Sequence, residues 1–141
     1  MLICDISVFN RYGKQHLDEL LKPLNLDWRD LVAILVINEV PGITQAKLNP
    51  FLQTDKANIT KLLQSLETRS LIRRNEDKAD HRSKVCFLTE AGSAQVKELY
   101  HIMEQWESLC FTGLSDQERQ EYDRLSQIIT QNMVGAWPKA Q

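Results

Sequence analysis

The stretch Asp80-His81-Arg82-Ser83-Lys84-Val85-Cys86-Phe87-Leu88-Thr89-Glu90-Ala91-Gly92 decides the fold. Its first half is polar and charged, with Arg82 and Lys84 close to an acid. Its second half is a short apolar run with β-branched and aromatic residues, which reads as a strand. Thr89 then stands where a hydroxyl can accept from the first free amides of a helix. A strand that passes directly into a capped helix is the return arm of a hairpin. Upstream, Leu71 to Arg74 reads as the outgoing strand and Asn75 to Ala79 as the polar loop of the hairpin. The return strand, Lys84 to Leu88, is too short for alternation to decide whether Val85 and Phe87 or Cys86 and Leu88 point inward.

One step further out, Thr54 to Arg69 carries Ile59, Leu62, Leu63 and Leu66 at spacings of three and four, the mark of an amphipathic helix capped by Thr54. The opposite face holds Lys56, Asn58, Thr60, Lys61, Gln64 and Ser65, side chains able to donate to phosphates and base edges. A polar-faced helix followed by a hairpin with a basic tip has the order of a winged DNA-reading module.

The remaining segments read as helices. One runs from about Ser7 to before Pro23, with Val8, Tyr12, Leu17, Leu20 and Leu21 on or near one side. Asp27 caps a second, Trp28 to about Glu39, with little polar surface. Pro41-Gly42 stops it, and Thr44 caps a third from Gln45 towards Leu52, which Pro50 makes short or kinked. A long helix from Glu90 to about Cys110 has Val96, Leu99, Met103, Trp106 and Cys110 on one stripe. After Gly113, Ser115-Asp116-Gln117-Glu118 forms a capping box for a last helix bearing Tyr122, Leu125, Ile128 and Ile129, and Gly135 and Pro138 mark its end. The fold expected is mainly α with a small β-hairpin wing.

Composition bounds the function. The chain has 141 residues, 43% of them hydrophobic, enough for one core. Its net charge of −2 is unevenly spread. Thr44 to Lys84 holds nine Lys or Arg against five Asp or Glu, whereas Glu90 to Gln131 holds three against eight. A basic middle fits a polyanion, and an acidic tail fits a different task. Three cysteines without CxxC spacing argue against a disulfide framework and for a reducing cytoplasm. No secretory leader is legible at Met1 to Ser7, and no apolar run approaches a membrane span.

This order of elements resembles the MarR family of winged helix-turn-helix regulators over nearly the whole chain. The likeness rests on Thr54 to Glu67, similar to the recognition helix, on Leu71-Ile72-Arg73-Arg74, which leads into the wing, and on Asp80-x-Arg82 followed by Leu88-Thr89-x-x-Gly92. Two departures stand out: Ser70 where the family commonly has glycine, and Pro50 in the preceding helix. The resemblance implies a winged helix-turn-helix part at 28–88, with 1–24 and 90–134 as dimerisation helices. It further implies a homodimer that binds an inverted repeat in double-stranded DNA, with recognition helices roughly 34 Å apart.

In that arrangement Lys56, Asn58, Lys61 and Gln64 read the major groove and Thr54 and Thr60 hold phosphates. Arg82 enters the minor groove with Asp80 restricting it, and Arg73, Arg74 and Lys84 add contacts from the wing. The family's frequent small aromatic effector would find Tyr12, His16, Trp28 and Trp106. Outcomes would be those of a repressor released by ligand. A winged-helix module that binds protein, and a regulator that senses thiol oxidation, are the alternatives. No cofactor or metal is expected: His16, His81 and His101 match no zinc spacing, and there is no phosphate-cradling glycine loop, GxSxG or HExxH, so an enzyme is not expected.

Overall fold

The computed structural model describes residues 1–136. Six α-helices and three short strands follow one another as α1 (Leu2–Leu21), a 3₁₀ turn (Lys22–Leu24), α2 (Trp28–Glu39), β1 (Ile43–Thr44), α3 (Gln45–Leu52), α4 (Lys56–Thr68), β2 (Ile72–Glu76), β3 (Lys84–Leu88), α5 (Glu90–Cys110) and α6 (Asp116–Ala136). The chain forms two compact units, Met1–Trp106 and a C-terminal unit that begins at Glu107. Pro138 lies outside the described residues.

Local chemistry accounts for the boundaries. Asp27 and Asp30 make a reciprocal capping box on α2, each carboxylate accepting from the other's backbone amide at 3.0 Å. Thr44 caps α3 by accepting from Lys47 N at 3.2 Å. Pro50 lies inside α3, which is only eight residues long, so few backbone bonds are at stake. Ser115 and Glu118 exchange hydrogen bonds of 2.9 and 3.1 Å at the start of α6, as their spacing predicts.

Three expectations are corrected. The first helix begins at Leu2 rather than near Ser7. No proline or glycine interrupts Leu2 to Ser7, and helical spacing continues outward through residues whose apolar side chains stay exposed. Second, the cap of α4 is Asp55 and not Thr54: the Asp55 carboxylate accepts from Asn58 N at 2.8 Å. A charged acceptor at a helix N-terminus gains from the dipole as well as from the bond. Third, the hairpin is part of a three-stranded antiparallel sheet in the order β1-β3-β2, because Ile43 pairs with Cys86 and Thr44 with Val85. A two-residue strand leaves no periodic signature in sequence.

The core of the first unit is contiguous. Ile34 and Ile37 of α2, Leu48 and Leu52 of α3, and Ile59, Leu63 and Leu66 of α4 are closed to solvent with Leu21, Leu99 and Cys86. The open question about β3 is thereby settled: Cys86 points inward. Burial pushes its thiol up to about 11. Trp106 Nε1 donates to Gly13 O at 2.8 Å, tying α5 to α1 within this unit. In the C-terminal unit, Phe111 meets Tyr122 edge-on at 5.5 Å and Arg119 pairs with Glu107.

Candidate nucleic-acid interface

Helix α4 is amphipathic in the expected sense. Ile59, Leu63 and Leu66 anchor it, while Lys56, Asn58, Lys61 and Gln64 are exposed. The hairpin stands beside it, paired in register from Ile72 with Leu88 to Glu76 with Lys84. Between helix and hairpin lies a cleft of about 440 Å³, to which α4 contributes Lys56, Thr60 and Gln64, the wing Arg74, Arg82, Ser83 and Lys84, and α3 Gln45, Ala46 and Asn49. Four of the lining residues are cationic and none is acidic. Such a surface attracts polyanions at short range whatever the net charge of the chain.

The wing tip owes its shape to two aspartates. Asp77 accepts from Ala79 N at 3.0 Å and Asp80 from Arg82 N at 3.0 Å, each bonding the amide two residues on. Asp80 also faces Arg82 Nε at 3.6 Å, with the arginine side chain 95% exposed. The acid thus fixes the backbone from which Arg82 projects, more than it fixes the guanidinium. His81 Nδ1 sits 3.4 Å from Glu76 on the outgoing strand.

The two consecutive arginines of β2 separate, as alternation along a strand requires. Arg73 is exposed, its guanidinium 4.9 Å from the centre of the Phe87 ring. Arg74 turns inward, and its side chain is only 6% exposed. Its Nη2 donates to Glu67 at 3.1 Å, its backbone N donates to the same carboxylate at 3.3 Å, and its Nη1 donates to Gln45 Oε1 at 3.3 Å. Hydrogen bonding from Arg74 holds the Glu67 carboxyl below the usual carboxylate range. Gln45 Nε2 in turn donates to Thr60 Oγ1 at 3.0 Å, and that hydroxyl donates to Lys56 O at 3.0 Å. Arg74 and Thr60, expected to face a nucleic acid, are therefore committed first to partners inside the protein.

Of the expected contact residues, the structure gathers Lys56, Thr60, Gln64, Arg74, Arg82 and Lys84 around one cleft. Asn58 and Lys61 are exposed on α4, and Thr54, half-buried, precedes it. Gln45, Asn49 and Ser83 are additions. Nothing in their sequence context marked Gln45 and Asn49, since α3 reads only as a short capped helix, whereas Ser83 lies between Arg82 and Lys84 of the wing.

The four residues expected to meet an effector do not line this cleft, nor the second one near Asn25, Asp30 and Arg69. Tyr12 and His16 are exposed on α1. Trp28 is half-buried beneath Lys14, whose Nζ lies 3.9 Å from the ring centre and donates to Gln53 at 2.6 Å. Desolvation, ahead of the neighbouring Arg29, lowers the Lys14 pKa. Trp106 is occupied by Gly13 and by the Phe9 ring 6.0 Å away.

A winged helix with its hairpin beside a polar-faced helix defines a class of regulator folds, and comparison with known proteins places the chain within it. Residues 26–84, the helix and wing portion of the chain, match the model of the MarR family. Among solved structures, the chain is similar to MarR itself at 26% identity, with 94% of this chain and 97% of that one covered and a TM-score of 0.80. It is also similar to a MarR transcriptional regulator from Methanosarcina mazei Go1, at 24% identity, 96% and 98% coverage and a TM-score of 0.89. A mutant MarR from E. coli complexed with operator DNA superposes with a TM-score of 0.78 at 21% identity, covering 91% of this chain and 92% of that one. The fold is that of MarR transcriptional regulators.

Proposed function

We propose that the chain is a sequence-specific DNA-binding transcriptional regulator that acts as a homodimer on an inverted repeat. In this reading α4 enters the major groove with Lys56, Asn58, Lys61 and Gln64, and Arg82 reaches the minor groove from the wing. The observation that carries it is the cleft between α4 and the wing, where cations and amides converge without one acid. The dimer rests on apolar surface that each unit leaves open. Leu2, Ile6 and Phe9 recur along α1 at half exposure or more, as do Tyr122, Leu125, Ile129 and Met133 along α6 at 44% or more. A second copy covering them would set two α4 helices roughly 34 Å apart, one turn of DNA. Repression released by a small aromatic effector completes the reading. Such an effector acts only through different affinities for the two states.

Fluorescence anisotropy on genomic fragments tests the proposal. The wild type is expected to prefer one fragment over the rest, and Arg82→Ala to weaken that complex about tenfold. Equal, salt-driven binding to every fragment would instead mark a winged-helix protein that does not read DNA, and the proposal would fail.

A further inference from the structure

Helix α3 contributes to the cleft, yet its one half-buried polar side chain at the N-terminus, Gln45, is engaged on both sides. Its oxygen accepts from Arg74 of β2 and its nitrogen donates to Thr60 of α4. Arg74 reaches a second point of α4 through Glu67, two helical turns beyond Thr60. One buried arginine of the wing is thus bonded to both ends of the recognition helix's inner flank, directly at Glu67 and through Gln45 at Thr60. Its Nε is buried and has no hydrogen-bond partner among the described residues, so the bonds from Nη1 and Nη2 are the ones that hold the guanidinium in place.

We propose that Gln45 is a positioning residue for DNA recognition, which sets the distance and angle between the reading face of α4 and the Arg82 tip. The inference rests on the DNA-binding function proposed above. The physical reason is geometric. Major-groove and minor-groove contacts are made simultaneously only if helix and wing keep one relative placement, and β3 alone joins the wing to the sheet edge at β1 through two residue pairs. The bond from Gln45 to Thr60 closes the triangle of α3, α4 and β2. Without it, Arg74 still holds Glu67 in the last turns of α4 and Ile59 and Leu63 still seat the helix in the core, but the wing loses its polar tie to the turn that carries Thr60, next to the reading residues Lys56 and Lys61.

The test is a double-mutant cycle in full-length protein, with DNA affinity read by anisotropy on the preferred fragment and on a scrambled one. Gln45→Met keeps length and neutrality while removing both bonds, and Thr60→Val removes only the hydroxyl. Each is expected to lower affinity for the preferred fragment about five- to tenfold, to leave affinity for the scrambled fragment within twofold, and, combined, to cost no more than either alone. In the Gln45→Met background, Arg82→Ala should cost at least threefold less than in the wild type, because a wing that has lost its placement no longer delivers Arg82. A role confined to stability would lower the melting temperature and leave the cost of Arg82→Ala unchanged. That additive outcome overturns the inference, as does direct base contact by Gln45, which also gives additive losses. Urea titration of each variant guards against misfolding, and Thr60→Ser, which retains the hydroxyl, should bind as the wild type does. If the wild type itself prefers no fragment, the regulator function fails and not the positioning role alone.

Discussion

Gly92→Ala is the substitution for which two physical effects point in opposite directions and the structure decides between them. Gly92 is the third residue of α5, and its amide donates to the Thr89 hydroxyl at 3.0 Å. Replacing a helical glycine with alanine favours the folded state by about 0.5–1 kcal/mol on propensity alone. A Cβ at this position, however, would stand 2.1 Å from the carbonyl oxygen of Leu71. That oxygen would have to retreat by about 0.9 Å to reach 3.0 Å, the closest approach real Cβ atoms make. It cannot do so freely, because it accepts from Thr89 N at 3.1 Å and belongs to the residue that leads into β2, itself 6% exposed. Overpacking of this kind costs about 1–3 kcal/mol, and loss of the Thr89 bond adds about 1. The net expectation is destabilisation by about 1–3.5 kcal/mol, a large share of a domain's total stability. Urea unfolding followed by circular dichroism measures it. A variant as stable as the wild type, or more so, refutes the steric argument and shows that the α4 to β2 turn yields.

Ser70 ends the turn after α4 at φ 61°, a left-handed conformation that costs a residue with a Cβ about 1–2 kcal/mol, so Ser70→Gly should raise stability by up to about 1 kcal/mol after the entropy of the freer unfolded chain is counted. The folded pKa of Glu67 lies below its unfolded value, so its pairing with Arg74 stabilises the fold above the ordinary carboxylate pKa and is lost as pH falls through the lowered one. Burial raises the Asp30 carboxyl and acts in the opposite sense, which makes Glu67→Gln against wild type the informative comparison: unfolding midpoints below pH 5 should fall less steeply with acid in the variant. Finally, Cys86, at about 11, is only on the order of a thousandth thiolate at pH 8 and is closed to solvent, so iodoacetamide followed by mass spectrometry should leave it unmodified in the native protein and label it in urea.

The helices and the hairpin were legible because their signals are local. Periodic leucines in α4, the Asp27 and Thr44 caps and the Ser115 box each involve residues within four positions of one another, and each stands where its spacing predicts. Residues whose surroundings depend on distant partners were not legible in this way. Arg73 and Arg74 are indistinguishable in sequence, and only their pairing opposite Phe87 and Cys86 shows that one faces solvent and the other the core side of the wing. Gln45 gave no sign at all, since its partners are 15 and 29 residues away. Thr54 and Asp55 were equally good caps on residue type, and the choice fell to the carboxylate, which the helix dipole favours.

Asp80 shows why an acid belongs in a cationic wing. As an exposed ion pair with Arg82, the two would contribute little to stability, and the acid would subtract from the attraction of a phosphate. The distances favour another account, because Asp80 bonds the backbone amide of Arg82 at 3.0 Å and the Ser83 hydroxyl at 3.5 Å, while the guanidinium stays at 3.6 Å and almost wholly in solvent. The loop is therefore rigid where the arginine leaves it and free where the arginine ends. A cation presented from a fixed backbone loses less entropy on entering a groove than one on a mobile loop. The same economy holds for the chain as a whole. In the proposed DNA-binding function its net charge of −2 would not oppose binding, because surface charges more than about 8 Å apart are largely screened at physiological salt, and a phosphate at the cleft would meet Lys56, Arg82 and Lys84, with Arg74 already neutralised by Glu67.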